Sequence, residues 1–419
     1  MIGWRVTTSA LALVLTSPGF ASATTLDDAI AAALNYAPEI AAVDAQGDAA
    51  AGRLTQAQSG RLPTASIGGT IGYGRLDPKN FFGLGAANVT PRAAQAIIEQ
   101  PLFAGGRITA GIEQAEAGVA SADAAKSAVR SQIEMAVAEA YGAVLAADAT
   151  VRLYGELVAQ TEEIERSARE RFRTGETPST DVAQAASRAA EARAGLARAE
   201  GMRVSAEARY RNLTGQDPID LQPLPPNPAL PDGLDDALTT AKDNSPILRQ
   251  AEADLRAAEA AARSARASWF PAISAYAEAG SVRDQFFPDY RADSATVGIR
   301  GRWELFSGGR TSGKVTEAES QQRAADARLR AARMALEEGV LAAWQNVRTT
   351  ELVEIASKEQ AAAANEALTS VRHEVRVGMK PQIDLLDAER EATVAAAAAA
   401  QAATDRIVAA YRLISLIGP

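Results

Sequence analysis

The 419-residue sequence contains no cysteine and a single histidine, His373. That excludes disulfide frameworks, thiol nucleophiles and the usual clusters of transition-metal ligands, so no cofactor or metal is expected. His373 lies in a charged helical stretch and reads as a solvated surface residue. Aromatic residues make up only 5% of the chain. Bulky side chains for a thick globular core are therefore scarce, and an elongated, alanine-rich molecule is expected. Past Ala23 no run of eighteen apolar residues occurs, which excludes a helical membrane span; entry into a membrane would require a β-barrel. Positive charge is also in deficit, with 43 Lys and Arg against 52 Asp and Glu, which argues against a nucleic-acid partner. No Ser/His/Asp set is present, and Gly105-Gly106 and Gly308-Gly309 lack the spacing of phosphate-binding loops, so an enzyme is not expected.

The N-terminus has Arg5, an apolar run from Ala10 to Val14 and the small residues Ala21, Ser22 and Ala23. This order predicts a secretory signal peptide over 1–23 and a mature chain from Thr24. No cysteine follows the predicted cleavage site, so a lipoprotein is not expected. The rest is written twice. Leu26-Asp27-Asp28-Ala29 recurs as Leu234-Asp235-Asp236-Ala237, Pro38 as Pro246, and Leu102-Phe103-Ala104-Gly105-Gly106-Arg107 as Leu305-Phe306-Ser307-Gly308-Gly309-Arg310. Gly175, Asp181 and Gly215 recur as Gly378, Asp384 and Gly418. Two repeats are predicted, 24–215 and 234–419, joined by a proline-rich linker over 216–233 that cannot form a continuous helix. Each repeat reads as helix, strand, loop, strand, very long helix, tight turn, helix. No proline falls between Arg107 and Phe172, and Ile133, Val137, Ala140, Val144, Ala147, Val151, Tyr154 and Val158 recur at coiled-coil spacing. Leu336, Val340, Ala343 and Val347 repeat the pattern in the second half.

Four segments alternate with period two. Ala65, Ile67, Gly69, Ile71 and Tyr73 form one apolar face; Ala94, Ala96, Ile98 and Leu102 form another. Ile273, Ala275, Ala277 and Ala279, and then Ala295, Val297, Ile299, Gly301 and Trp303, complete the set. The opposite face carries Glu99, Glu278, Arg300, Arg302 and Glu304, which are expected to face water inside a barrel. Each strand approaches the length needed to cross a bilayer at a tilt. Phe103, Trp269, Phe270, Trp303 and Phe306 gather at the helix-proximal ends, as an interfacial girdle would, and polar loops around Asp77 to Asn80 and Arg283 to Asp293 mark the other ends. Four strands cannot close a barrel and an open edge cannot sit in lipid, so the chain must oligomerise. Two copies would supply eight strands and three would supply twelve; the strand pattern does not choose. A periplasmic coiled-coil scaffold with a small soluble sheet and no pore activity is the alternative.

The paired Leu-Phe-(Ala/Ser)-Gly-Gly-Arg segments, Thr-Gly-Glu-Thr-Pro-Ser-Thr-Asp at 174–181 and Val-Gly-Met-Lys-Pro-Gln-Ile-Asp-Leu-Leu-Asp-Ala at 377–388 resemble the TolC family of outer-membrane efflux and secretion channels over essentially the whole mature chain. The resemblance implies a mainly α protein with membrane β: a homotrimer whose twelve-stranded outer-membrane barrel continues as a long α-helical barrel through the periplasm. It also implies a periplasmic adaptor (membrane fusion protein) and an inner-membrane ABC or RND transporter as partners. Type I protein secretion and multidrug efflux both remain open as the task. The two helix-to-helix turns correspond to the family's periplasmic tips, with Gly175, Glu176, Thr177, Gly378 and Met379 implied in adaptor docking. Asp384 and Asp387 correspond to the family's gate aspartates, which threefold symmetry would turn into two carboxylate rings attracting cations. Lys380, with Asp181 and Thr180 as its partners, corresponds to a basic gate contact, while Val375 stands where a gate tyrosine occurs in the best-known member.

Overall fold

The structure, a computed structural model, describes residues 23–77 and 85–418. The predicted signal peptide up to Ser22, and Asn80 of the first polar loop, lie outside the described residues. In chain order the elements are α1 (Leu26–Tyr36), α2 (Pro38–Ser59), β1 (Thr64–Ile71), β2 (Gly74–Leu76), β3 (Ala87–Val89), β4 (Arg92–Phe103), α3 (Arg107–Arg173) and α4 (Ser179–Thr214). There follow α5 (Leu234–Asn244), α6 (Pro246–Arg266), a 3-10 turn (Ala267–Trp269), β5 (Ala272–Arg283), β6 (Arg291–Arg302), α7 (Arg310–Arg376) and α8 (Gln382–Ile417). The duplication extends to length: α3 and α7 each have 67 residues, and α4 and α8 each have 36. At 1.5 Å per residue α3 alone runs about 100 Å. Abundant alanine sustains such helices by its intrinsic propensity and by the absence of proline.

Two compact units divide these elements. One comprises residues 37–77, 85–135, 228–349 and 409–418. Its sheet is antiparallel throughout, in the order β1-β4-β5-β6, so that β1 and β6 are edges without a partner among the described residues. The register places Ile67, Ala96, Ala279 and Ala295 in one row and Ala65, Ile98, Ala277 and Val297 in the next. The apolar alternation of the sequence is thus one continuous face across four strands. That face is uncovered: Ile67 is 88% exposed and Val297 84%. The helices of this unit enclose a separate core of Ala237, Ala241, Leu248, Leu329, Leu336, Val340, Ala343, Val347, Leu413 and Ile417.

Three expectations about the strands need correction. β1 ends at Ile71 and not at Tyr73, and a short ribbon of β2 and β3 follows it. β6 ends at Arg302, so Trp303 and Glu304 lie beyond the sheet. The Trp303 indole donates to the Trp269 carbonyl (3.0 Å), and both Glu304 carboxylate oxygens accept from Arg310 (2.5 and 2.6 Å). The Arg310 guanidinium at the start of α7 captures Glu304, which is therefore not a barrel-wall residue.

The second unit comprises residues 23–36, 136–227 and 350–408. Val137, Ala140 and Val144 of α3 are buried in it, as the coiled-coil spacing predicts, and so is Tyr141, which lies outside that spacing. Alanine and glycine at helix contacts allow close approach: a Cβ on Gly195 of α4 would lie 2.3 Å from the Tyr154 ring of α3. Thr24 pairs with Leu221 of the proline-rich segment, and the Tyr141 hydroxyl lies within hydrogen-bond reach of the carbonyls of Thr24 (2.8 Å) and Gln222 (2.7 Å). Further along that segment, Arg406 of α8 reaches the Pro225 carbonyl (3.1 Å), the Asn227 side-chain oxygen and Glu354 of α7 (2.6 Å).

Candidate functional site

Two places carry the predicted functional residues: the polar face of the sheet and the paired helix-to-helix turns. On the sheet, directly opposed residues share a face. Glu99 stands opposite Tyr276, Ser274 opposite Arg300, and Glu278 opposite Thr296. Glu99, Glu278, Arg300 and Arg302 therefore lie together on the face away from the apolar one. They are interlocked. Ser274 donates to Glu99 (2.6 Å), Gln95 donates to Glu278 (2.5 Å), and the Arg300 guanidinium sits 4.5 Å from the centre of the Tyr276 ring. Both signs of charge share this face.

The turns repeat one geometry. At the end of α3 the Gly175 N–H donates to Phe172 O and the Glu176 N–H to Arg171 O; at the end of α7 the Gly378 N–H donates to Val375 O and the Met379 N–H to Glu374 O. This double bond pattern closes a helix through a left-handed residue, and Gly175 and Gly378 sit at φ +78° and +79°. Pro178 and Pro381 each immediately precede the next helix. Glu176, Gly378 and Met379 are exposed, while Thr177 is half-buried and donates to the Asp181 carboxylate (2.6 Å). Thr180 is exposed in the first turn of α4.

Lys380 and Asp181 do not meet within the chain. Lys380 pairs with Glu374 of its own hairpin (2.9 Å), and the Glu374 hydrogen bond and charge, with a smaller contribution from Asp384, raise the ammonium pKa above its ordinary value. Asp181 is taken by Thr177. A short α4-to-α8 register explains the rest. Leu386 of α8 packs with Ile164 and Ala168 of α3 and Ala185 of α4, flanked by Val182 and Ile383. Burying Leu386 carries its neighbour Asp387 to Arg188 of α4 (2.8 Å). Arg188 also holds Glu191 (3.0 Å), and that bond, with the two nearby carboxylates, raises its pKa. Asp384 and Asp387 are thus not equivalent: Asp384 has no ion pair among the described residues, whereas Asp387 spends its charge on Arg188. One turn on, Glu389 is 4% exposed and accepts from Arg372 of α7 (2.7 Å), with the Gln160 amide of α3 beside it.

Arg188, Glu389, Arg372 and Gln160 escape motif reading because they are ordinary helix residues until α4 and α8 are in register. One signal was available. In the repeat, Gln184, Ala186 and Arg188 correspond to Asp387, Glu389 and Glu391, so the second half carries acids where the first carries an amide, a methyl and a base.

Comparison with known proteins agrees with this architecture. The outer membrane efflux protein family model matches residues 29–216 and again 237–419. The outer membrane efflux protein BepC of Brucella suis is 27% identical over 263 residues, covering 62% of this chain and 58% of that protein. Protein CyaE of Bordetella pertussis is 28% identical over 290 residues, covering 66% and 60%. The chain thus spans about three-fifths of the length of the curated relatives it matches. Among solved structures, the Campylobacter jejuni CmeC outer membrane channel superposes with a TM-score of 0.83 at 15% identity, covering all of this chain and 94% of that one. With its repeated helical hairpins, its open sheet and a family match over both halves, this chain belongs to the outer membrane efflux protein family and has the fold of the TolC-like channels of the outer membrane.

Proposed function

We propose that three copies of this chain form the outer-membrane conduit of a tripartite export system. The observation that carries the reading is the sheet: an apolar face exposed across four strands, ending in two unpaired edges, is stable in lipid only if neighbouring copies close it. Three copies give twelve strands, with Glu99, Glu278, Arg300 and Arg302 lining a mixed-charge lumen suited to a broad conduit. Each chain contributes two repeats, 24–215 and 234–419, joined through 216–233.

Energy and cargo selection come from an inner-membrane ABC or RND transporter, reached through a periplasmic adaptor that docks on the exposed turns at Gly175, Glu176, Thr177, Gly378 and Met379. The channel itself catalyses nothing. Its narrow end is gated by the α7-α8 hairpin: Asp384 supplies a cation-attracting ring, while the Arg188 to Asp387 contact and the Lys380 to Glu374 pair hold the hairpin closed. Opening parts α8 from α4, with Asp181 and Thr180 beside the moving turn. Cargo is protein or small molecule according to the transporter, so a neighbouring ABC transporter gene favours type I secretion and an RND pump favours drug efflux.

Planar-bilayer conductance of detergent-purified protein, with oligomeric mass measured in the same preparation, tests the reading. A trimer forming long-lived cation-preferring pores is expected. A protein extracted without detergent that forms no pores would refute the conduit and favour a periplasmic scaffold.

A further inference from the structure

The apolar face of the sheet is interrupted by charge at one end only. Arg92 of β4 stands directly opposite Arg283 of β5, which stands opposite Arg291 of β6. The same row begins with Ile71 of β1, so the three guanidiniums lie on the face of Ile67, Ile98 and Val297 and not on the face of Glu99 and Arg300. Like charges opposed across neighbouring strands destabilise a sheet, so pairing within the sheet does not account for them. Asp293, one row nearer the helices, takes part of Arg283 (3.0 Å). Arg92 and Arg291 are exposed and have no ion pair among the described residues.

Depth along the sheet is the second observation. From Ile273, paired with Phe103, to Arg283 the strand advances about 34 Å. The usual barrel tilt reduces this to about 25 Å, the height of an outer-membrane apolar band. Exposed aromatics, Phe103, Trp269, Phe270, Trp303 and Phe306, mark the end where the strands pass into α3 and α7. The arginines mark the opposite headgroup level, which faces the outside of the cell when the helices occupy the periplasm. That leaflet is built of lipopolysaccharide, whose glucosamine headgroup carries phosphates. Three guanidiniums on adjacent strands, spaced about 4.8 Å apart, span about 10 Å and present planar forks that suit phosphate oxygens.

We propose that Arg92, Arg283 and Arg291 form a binding site on the outer wall of the barrel for the phosphorylated headgroup of outer-leaflet lipopolysaccharide, which anchors the oligomer at a fixed depth. The site rests on the barrel reading above. Its test uses delipidated, purified oligomer titrated with bis-phosphorylated lipid A, fully dephosphorylated lipid A, phosphatidylglycerol or inorganic phosphate, with the melting temperature of the oligomer as readout. Bis-phosphorylated lipid A alone should raise it. Its affinity should fall roughly 25-fold in the Arg92→Gln, Arg283→Gln, Arg291→Gln variant, about fivefold for each arginine without an acidic partner. Arg291→Gln alone should lose about fivefold, which keeps the test decisive if the triple variant fails to assemble. Equal binding by the variants, or an equal response to phosphatidylglycerol or phosphate, overturns the proposal. Conductance in the same preparation separates the two readings: a conducting oligomer indifferent to lipid A refutes the lipid site only, whereas a protein that neither oligomerises nor conducts refutes the barrel and the site with it.

Discussion

Asp387→Asn should shift the channel toward its open state by removing the only charge contact between α4 and α8 described near the turns. The Arg188 side chain is 33% exposed and that of Asp387 50%, with 2.8 Å between them. Solvent screens such a pair, and about 0.5 kcal/mol is a realistic net contribution. Three copies opening together would lose about 1.5 kcal/mol, a factor of about ten in the closed-to-open ratio. Single-channel recording at low ionic strength measures that ratio directly, and the effect should shrink with added salt as the pair is screened. Arg188→Gln should produce a similar shift, and the double variant little more than either single one, because all three remove the same contact. Additive effects, or an unchanged ratio in Asp387→Asn, would refute the hairpin contact as a closing element. Block by multivalent cations should behave differently: lost in Asp384→Asn, whose carboxylate is unpaired, and largely retained in Asp387→Asn.

Arg406→Ala should destabilise the protein by about 2 kcal/mol, because it leaves Glu354, 11% exposed, with Lys358 as its remaining cation (2.8 Å) and frees the proline-rich segment at Pro225 and Asn227; thermal unfolding and faster proteolysis within 216–233 would show it. Gly105→Ala should abolish assembly of the heat-stable oligomer, since a Cβ there meets Phe270 Cβ at 2.6 Å and Ala267 O at 2.8 Å at φ +61°. Its repeat counterpart Gly308→Ala, at φ +60° with open space, should cost only about 1–2 kcal/mol and still assemble. Burial raises the Tyr141 pKa to about 12 from 10.0, with the Tyr210 hydroxyl adding to it. The folded state therefore favours the protonated phenol, so its contribution is complete below pH 10 and is lost as pH rises toward 12. Tyr141→Phe should flatten that alkaline loss, a difference of roughly 2 kcal/mol in denaturant unfolding between the two pH values.

Sequence periodicity alone determined much of this molecule. A proline-free, alanine-rich heptad run favours a long helix, and Gly175 and Gly378 end such runs because a left-handed closing residue penalises any side chain with a Cβ and leaves glycine unpenalised. The alternation of Ala275, Ala277 and Ala279 with Ser274, Tyr276 and Glu278 settles which side of a strand is apolar, since successive residues of a strand face opposite ways. Duplication then fixes the order of elements. What the sequence could not supply was register between elements far apart in the chain. Glu304 continues the alternation of β6, yet the strand ends at Arg302 and Glu304 pairs with Arg310 instead. Asp384 and Asp387 look like a matched pair until burial of Leu386 against α3 and α4 brings only Asp387 to Arg188. Lys380 is matched by resemblance with Asp181 of the other hairpin, and only the folded turn gives it to Glu374. Periodicity is a property of one element and is written locally. Pairing depends on how two elements slide past one another, and packing in the tertiary structure decides that.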